Sequence, residues 1–242
     1  MRLRGFYLRG SSNELSDMHL EFKDEESSPL NVAVLHGKNG SGKSYILSSI
    51  ARAWSSSVLT GGSTDLPYVA DLLRIDYEHG NEICSVHIRR GHMEKSSTLA
   101  KVADLSVGDN PYIKNGIVYY SGDRSSVSRS TVRGGVLLEE SVASAFPIIY
   151  DLHMRDIRDS VILVDDWDRG LDIESSKNMY SHLCRHALSK GNQLILSSSS
   201  IPAEYIPSRS VLTLNGRTDP IQRSMGLLSE AQESKDSARK LQ

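Results

Sequence analysis

The segment "GKNGSGKS", Gly37 to Ser44, constrains this chain more than any other. It matches G-x-x-x-x-G-K-[ST] at every fixed position. Before it runs "NVAVLHG" (31–37), an apolar stretch rich in β-branched residues that stops at a glycine and predicts a buried strand. After it, "SYILSSIARAWSS" sets Ile46, Leu47, Ile50 and Trp54 at helical spacing, which predicts a helix of about three turns with one apolar face. A strand, a glycine-rich loop and a helix opening on that loop aim successive backbone N–H groups and a helix N-terminus at one anion. Gly40 and Gly42 let the main chain curl around phosphates without a Cβ clash. Lys43 is expected to reach the β- and γ-phosphates of a nucleotide, and the Ser44 hydroxyl to coordinate Mg²⁺. The expected binding segment is Gly37, Lys38, Asn39, Gly40, Ser41, Gly42, Lys43, Ser44 and Tyr45.

A P-loop needs a second strand that brings an acid to the metal, and "SVILVDD" (160–166) has that form. Four apolar residues lead to Asp165, which is expected to hold Mg²⁺ through water. A helix is expected from Ile173 to Ser189, followed by a strand over 193–199, "QLILSSS". This alternation argues for a parallel sheet covered by helices. Elsewhere "LRGFYLRG" (3–10) and "MHLEFK" (18–23) read as short strands, and 72–90 as two strands turning at Gly80 and Asn81. "GIVYYSGDR" (116–124) has strand character and a polar tip. Residues 91–115 lack a period and read as a loop or insertion, and a helix is expected over 136–154, interrupted near Pro147. The resulting layout is one domain over 1–228, with a β section and insertion at about 66–124, and a polar tail over 229–242.

Composition narrows the partners. At 242 residues and 38% hydrophobic content the chain can bury a real core. A net charge of −2 announces no polyanion. Cys84 and Cys184 lack metal-ligand spacing and read as ordinary thiols of a reducing compartment. The first residues lack the apolar core of a signal peptide, and no run approaches about 18 apolar residues, so a cytoplasmic protein without a membrane partner is expected.

"GKNGSGKS", "YYSGDR", "SVILVDDWDRGLD" and "GNQLILSSSS", in this order and spacing, resemble the ABC-type ATPases of the SMC, RecF and OLD-like group over roughly residues 1–215. The resemblance implies an α/β fold of the P-loop NTPase, ABC ATPase-like type, with a mixed sheet flanked by helices and a small antiparallel β section. It implies ATP and Mg²⁺ as ligands and an ATP-dependent head-to-head homodimer. Asp165 matches the group's Mg²⁺-associated aspartate, and Asp166 falls where the group has its catalytic glutamate. Asp168 matches the next acid, and Gly170, Leu171 and Asp172 match the loop that crosses to the partner subunit. Ser199 falls at the switch histidine, and Gly134 and Gly135 at the start of the signature helix. The catalytic residues implied are therefore Asp166, Lys43 and Ser199.

Two departures predict slow turnover. Aspartate is one methylene shorter than glutamate, and a base misplaced by about 1 Å can cost on the order of a hundredfold. Serine in place of histidine removes an aid to transition-state charge stabilisation. The group's coiled coil and fused nuclease domain have no counterpart here, which by analogy implies an ATPase subunit that drives or licenses a separate effector, such as a nuclease in anti-phage defence. A DNA-associated repair ATPase is the alternative, with Arg89, Arg90, His92 and Lys95 as its footprint. The nucleotide-binding subunit of a transporter ranks last, since a clear signature, glutamine loop and switch histidine are missing. Arg124, Arg129 and Arg133 lie where the dimer seam is implied, with solvated surface charge as the commoner role. His153, His182 and His186 read as surface or interface histidines, and Trp167 and Tyr45, which flank the site, as packing aromatics that could touch a base.

Overall fold

The computed structural model describes residues 1–11, 17–58, 70–80, 82–89, 92–95, 112–114, 116–120, 148–150, 152–199 and 206–214. They form two five-stranded sheets and a short two-stranded one. The first is antiparallel, in the order β2 (Met18–Glu21), β1 (Arg2–Ser11), β4 (Ala70–His79), β5 (Glu82–Arg89) and β6 (His92–Lys95). The second is parallel throughout, in the order β12 (Val211–Thr213), β3 (Val32–His36), β11 (Gln193–Ser198), β10 (Val161–Val164) and β8 (Ile117–Tyr120). β7 (Tyr112–Lys114) pairs in parallel with β9 (Asp156–Arg158).

Side-chain alternation in the parallel sheet explains the layering. Ala33, Leu35, Val161, Leu163 and Ile195 point to one face, while Val34, Ile162, Val164, Leu194 and Leu196 point to the other. Both faces are apolar, so both must be covered. On the first lies α1 (Lys43–Val58), whose Ile46, Leu47, Ile50, Ala53 and Trp54 are buried between the two sheets. Burying each of its larger side chains contributes about 1.5–3 kcal/mol. On the second face lies α2 (Ile173–Ser189), through Met179, Tyr180, Leu183 and Ala187. Asp172 caps α2 by accepting a hydrogen bond from the Ser175 N–H at 2.7 Å.

Several expectations change. The mixed character expected of one sheet is divided between a parallel and an antiparallel sheet. The antiparallel section is not confined to 66–124, because it recruits β1 and β2, and β8 within that span belongs to the parallel sheet. The loop expected over 91–115 contains β6 and β7, strands too short for a period to register; edge pairing to β5 and to β9 supplies their order. β9 and β12 were not foreseen either. The expected helix is present over 148–150 and 152–154, and its earlier part, Pro147 included, lies outside the described residues. Asn81 and the tail 229–242 also lie outside them; Gly80 takes φ +61° where β4 turns into β5, with His79 opposite Glu82. Among the described residues, no helix is long and apolar enough to cross a membrane.

One buried amide joins the sheets. Gln193, at the start of β11, accepts from the Leu3 N–H at 2.6 Å and donates to the Leu3 carbonyl at 3.0 Å and the Leu30 carbonyl at 2.8 Å. Gln193→Leu would strand these backbone groups, at a cost of about 1–3 kcal/mol for a buried unsatisfied group. Urea denaturation should show a loss of that size or larger.

Candidate functional site

Parallel pairing places the two sequence motifs at one sheet edge. β11 separates β3 from β10, with Ser198 opposite His36 and Leu196 opposite Val164. The loop leaving β3 and the acids leaving β10 therefore emerge side by side at the C-terminal ends of the strands, where open α/β sheets place their ligands.

The loop itself is tightly built. Gly40 and Gly42 take φ of +82° and +93°, a region that glycine enters freely. A Cβ on Gly37 would stand 2.6 Å from Ser41 Oγ and 2.8 Å from the Leu214 carbonyl, so the backbone just past β12 fixes the need for glycine there. At Gly40 a Cβ would meet nothing within 4 Å. Lys43 is buried, and its Nζ donates to the carbonyls of Gly37 at 2.6 Å and Lys38 at 3.0 Å. Its ammonium thus lies across the loop, held by groups that a phosphate oxygen can replace. Ser41 Oγ is buried and has no hydrogen-bond partner among the described residues. Lys38, Asn39 and Ser44 are exposed, the last in the first turn of α1.

Beyond β10 the chain turns sharply. Asp165 is 4% exposed and accepts a short hydrogen bond from the Ser197 hydroxyl, while its N–H reaches the Tyr120 carbonyl at 2.9 Å. Asp166 takes φ +45°, and its N–H donates to Ser197 Oγ at 2.8 Å. Burial first, then the neighbouring Asp165, push the Asp166 carboxyl above its ordinary range; Asp168 adds to this, and Lys43 and Arg169 pull it back. Asp168 is buried, and Ser198 Oγ donates to it at 2.6 Å. Gly170 takes φ +74° as the chain leaves the turn for the cap of α2.

Ser197 and Ser198 were missed in the sequence; the available signal was a pair of hydroxyls ending an otherwise apolar, buried strand. Ser199, the expected switch position, is exposed just past β11, beside the start of the P-loop. Trp167 is fully buried against Tyr180, with ring centroids 5.8 Å apart, and so cannot stack on a base. Tyr45, the last residue of the expected binding segment, is half-buried and packs on the core around α1. Gly134, Gly135, Arg90, Arg124, Arg129 and Arg133 lie outside the described residues, as do the side chains of Arg89, His92 and Lys95.

The protein fits an Mg-nucleotide on three counts. The orphan Ser41 hydroxyl can turn to an anion, Gly40 leaves open space, and Ser44 with Asp165 offers the hard oxygen donors that Mg²⁺ takes. No cluster of three or more His, Cys, Asp or Glu suited to a metal occurs among the described residues.

No protein-family model matches the sequence, and no curated protein matches it. Solved structures do match in fold. An SMC head bound to the C-winged helix domain of ScpA is 11% identical with a TM-score of 0.52, over 88% of this chain and 94% of that one. The SMC head domain from Thermotoga maritima is 19% identical with a TM-score of 0.46, over 83% and 90%. CbiO1 from Clostridium perfringens, part of the ABC transporter complex cbiONQ, is 14% identical with a TM-score of 0.43, over 86% and 84%. The chain shares the α/β fold of the SMC head over most of its length.

Away from this edge, His153, His182 and His186 come together between the 152–154 helical turn and α2. His153 and His182 place their Nε2 atoms 3.2 Å apart, and the His153 ring lies 5.1 Å from that of His186. Burial first, then His153 and Arg185, lower the pKa of His182; burial first, then Lys190 and the two other histidines, lower that of His186, against a bond to the Leu152 backbone that raises it. A histidine pKa depressed by folding means that the unfolded chain binds more protons, so this stability is intact above the ordinary value of 6.5 and lost as pH falls below it. The melting temperature should drop between pH 7.5 and 5.5, and His182→Gln should flatten the drop.

Proposed function

We propose that the chain is an Mg-ATP-binding ATPase subunit with slow or partner-stimulated hydrolysis, assembling as an ATP-dependent head-to-head dimer that drives or licenses a separate effector. The observation that carries this reading is the register of β3, β11 and β10, which sets the 37–44 loop and Asp165 at one edge. In it, the backbone of Gly37 to Ser44 cradles the phosphates, Lys38, Asn39, Ser41 and the first turn of α1 line the cradle, and Lys43 moves from its carbonyl partners to the β- and γ-phosphates. Ser44 and Asp165 would hold Mg²⁺, which when bound neutralises phosphate charge.

Asp166 orients the attacking water and accepts its proton. Burial and the Asp165 charge make this carboxylate a stronger base than an exposed one, while its short side chain limits its reach. Ser199, beside the loop, offers a hydroxyl to the γ-phosphate where a histidine would offer a cation. Gly170 and Asp172 are exposed on either side of the half-buried Leu171, on a turn suited to meet a second copy. The separate effector is supported by the SMC head of similar fold that is bound to the winged-helix domain of another protein, ScpA. A nuclease effector in anti-phage defence is the form of this reading that the sequence resemblance favours.

Equilibrium binding and phosphate release test the reading. Wild type should bind Mg-ATP and turn over well below about 10 per second. Lys43→Ala should weaken binding by on the order of tenfold or more. Asp166→Glu should speed phosphate release by on the order of tenfold, and should lower stability by about 1 kcal/mol because residue 166 is left-handed. Wild-type turnover near the enzyme median, with no gain from Asp166→Glu, would refute the slow-switch assignment.

A further inference from the structure

Ser197 grips three consecutive residues of the acidic turn. Its hydroxyl donates its single proton to Asp165 Oδ1 and accepts the Asp166 N–H at 2.8 Å, and its carbonyl accepts the Trp167 N–H at 3.3 Å. All this happens at a position with no exposed surface, inside a sheet whose neighbouring strands fix where the hydroxyl can be. An apolar residue would satisfy the burial of β11 equally well. It would leave a buried carboxylate oxygen and a backbone N–H without their partner.

The geometry has two consequences. Committing Oδ1 to Ser197 fixes the rotation of the Asp165 carboxylate, so that Oδ2 is the oxygen available for a metal-bound water. Holding the Asp166 N–H keeps residue 166 at φ +45°, a conformation that costs a non-glycine residue free energy and must be secured by its surroundings. Outer partners of a metal site that orient its ligands commonly change metal affinity when removed, although they never touch the ion.

We propose that Ser197 is the positioning residue of the acidic pair, its hydroxyl setting the orientation of both Asp165 and Asp166 and thereby the response of the site to Mg²⁺. The inference rests on the nucleotide reading above and adds to it a residue outside both motifs. Ser198 serves the turn differently, by anchoring Asp168.

The test is a titration of the full chain with a fluorescent ATP analogue, with and without Mg²⁺, for wild type, Ser197→Ala and Ser197→Thr, with circular dichroism to verify folding. Ser197→Ala should match wild type without Mg²⁺, and the gain in affinity on adding Mg²⁺ should shrink by on the order of tenfold. Ser197→Thr keeps the hydroxyl and should keep the gain. Should Ser197→Ala not fold, Ser197→Cys, similar in size but a weak donor, should show the same selective loss. A full Mg²⁺ gain in the folded Ala or Cys variant overturns the role of Ser197 and leaves the nucleotide reading standing. Failure of wild type itself to bind the analogue overturns that reading, and this inference with it.

Discussion

A buried polar group must find a hydrogen-bond partner, and on β11 that requirement organises the molecule. The strand is buried along its whole length at the centre of the parallel sheet. Its apolar middle, Leu194 to Leu196, serves the two hydrophobic layers. Its polar ends have nowhere to go but into other segments. Gln193 reaches the backbone of β1 and of Leu30, docking the antiparallel sheet. Ser197 and Ser198 reach Asp165, Asp166 and Asp168 at the opposite end. One strand thus fastens the second sheet at its start and the acidic turn at its finish.

Much of the fold was legible because its signals are local. A four-residue apolar run before the P-loop, Val32 to Leu35, and the spacing of Ile46, Leu47, Ile50 and Trp54 each report on their own neighbourhood. Pairing partners are not local. Nothing in "MHLE" or "HMEK" says that these strands form opposite edges of one sheet, or that β8 leaves the antiparallel section to lie beside β10. Strands of three or four residues, such as β7, β9 and β12, are too short for alternation to stand out, and their neighbours create them.

The site divides in the same way. Phosphate loops are readable because glycines, lysine and serine must be contiguous to wrap one anion, and Gly37, Gly40 and Lys43 all have structural reasons for being what they are. The Asp165 strand end was readable from four apolar residues ending in acid. The hydroxyls behind the acids were not, because 31 and 32 residues separate Ser197 from its two partners. Trp167 shows the opposite hazard: an aromatic adjacent to the acids in sequence is directed by the turn into the core under α2.

The left-handed backbone at residue 166 bears on how this chain can change. Aspartate, asparagine and glycine enter that region more easily than other residues, so the turn itself favours the shorter acid over glutamate. If residue 166 is the base proposed above, backbone shape and base strength are set together at a single position. Asparagine is nearly the same size, tolerates the same φ and removes a negative charge from beside Asp165. On the proposed chemistry, the exchange of one oxygen for one nitrogen would leave the turn intact and delete the proton acceptor. On that same proposal, a form of this protein that holds a nucleotide without consuming it lies one substitution away, at a position whose left-handed backbone asparagine tolerates.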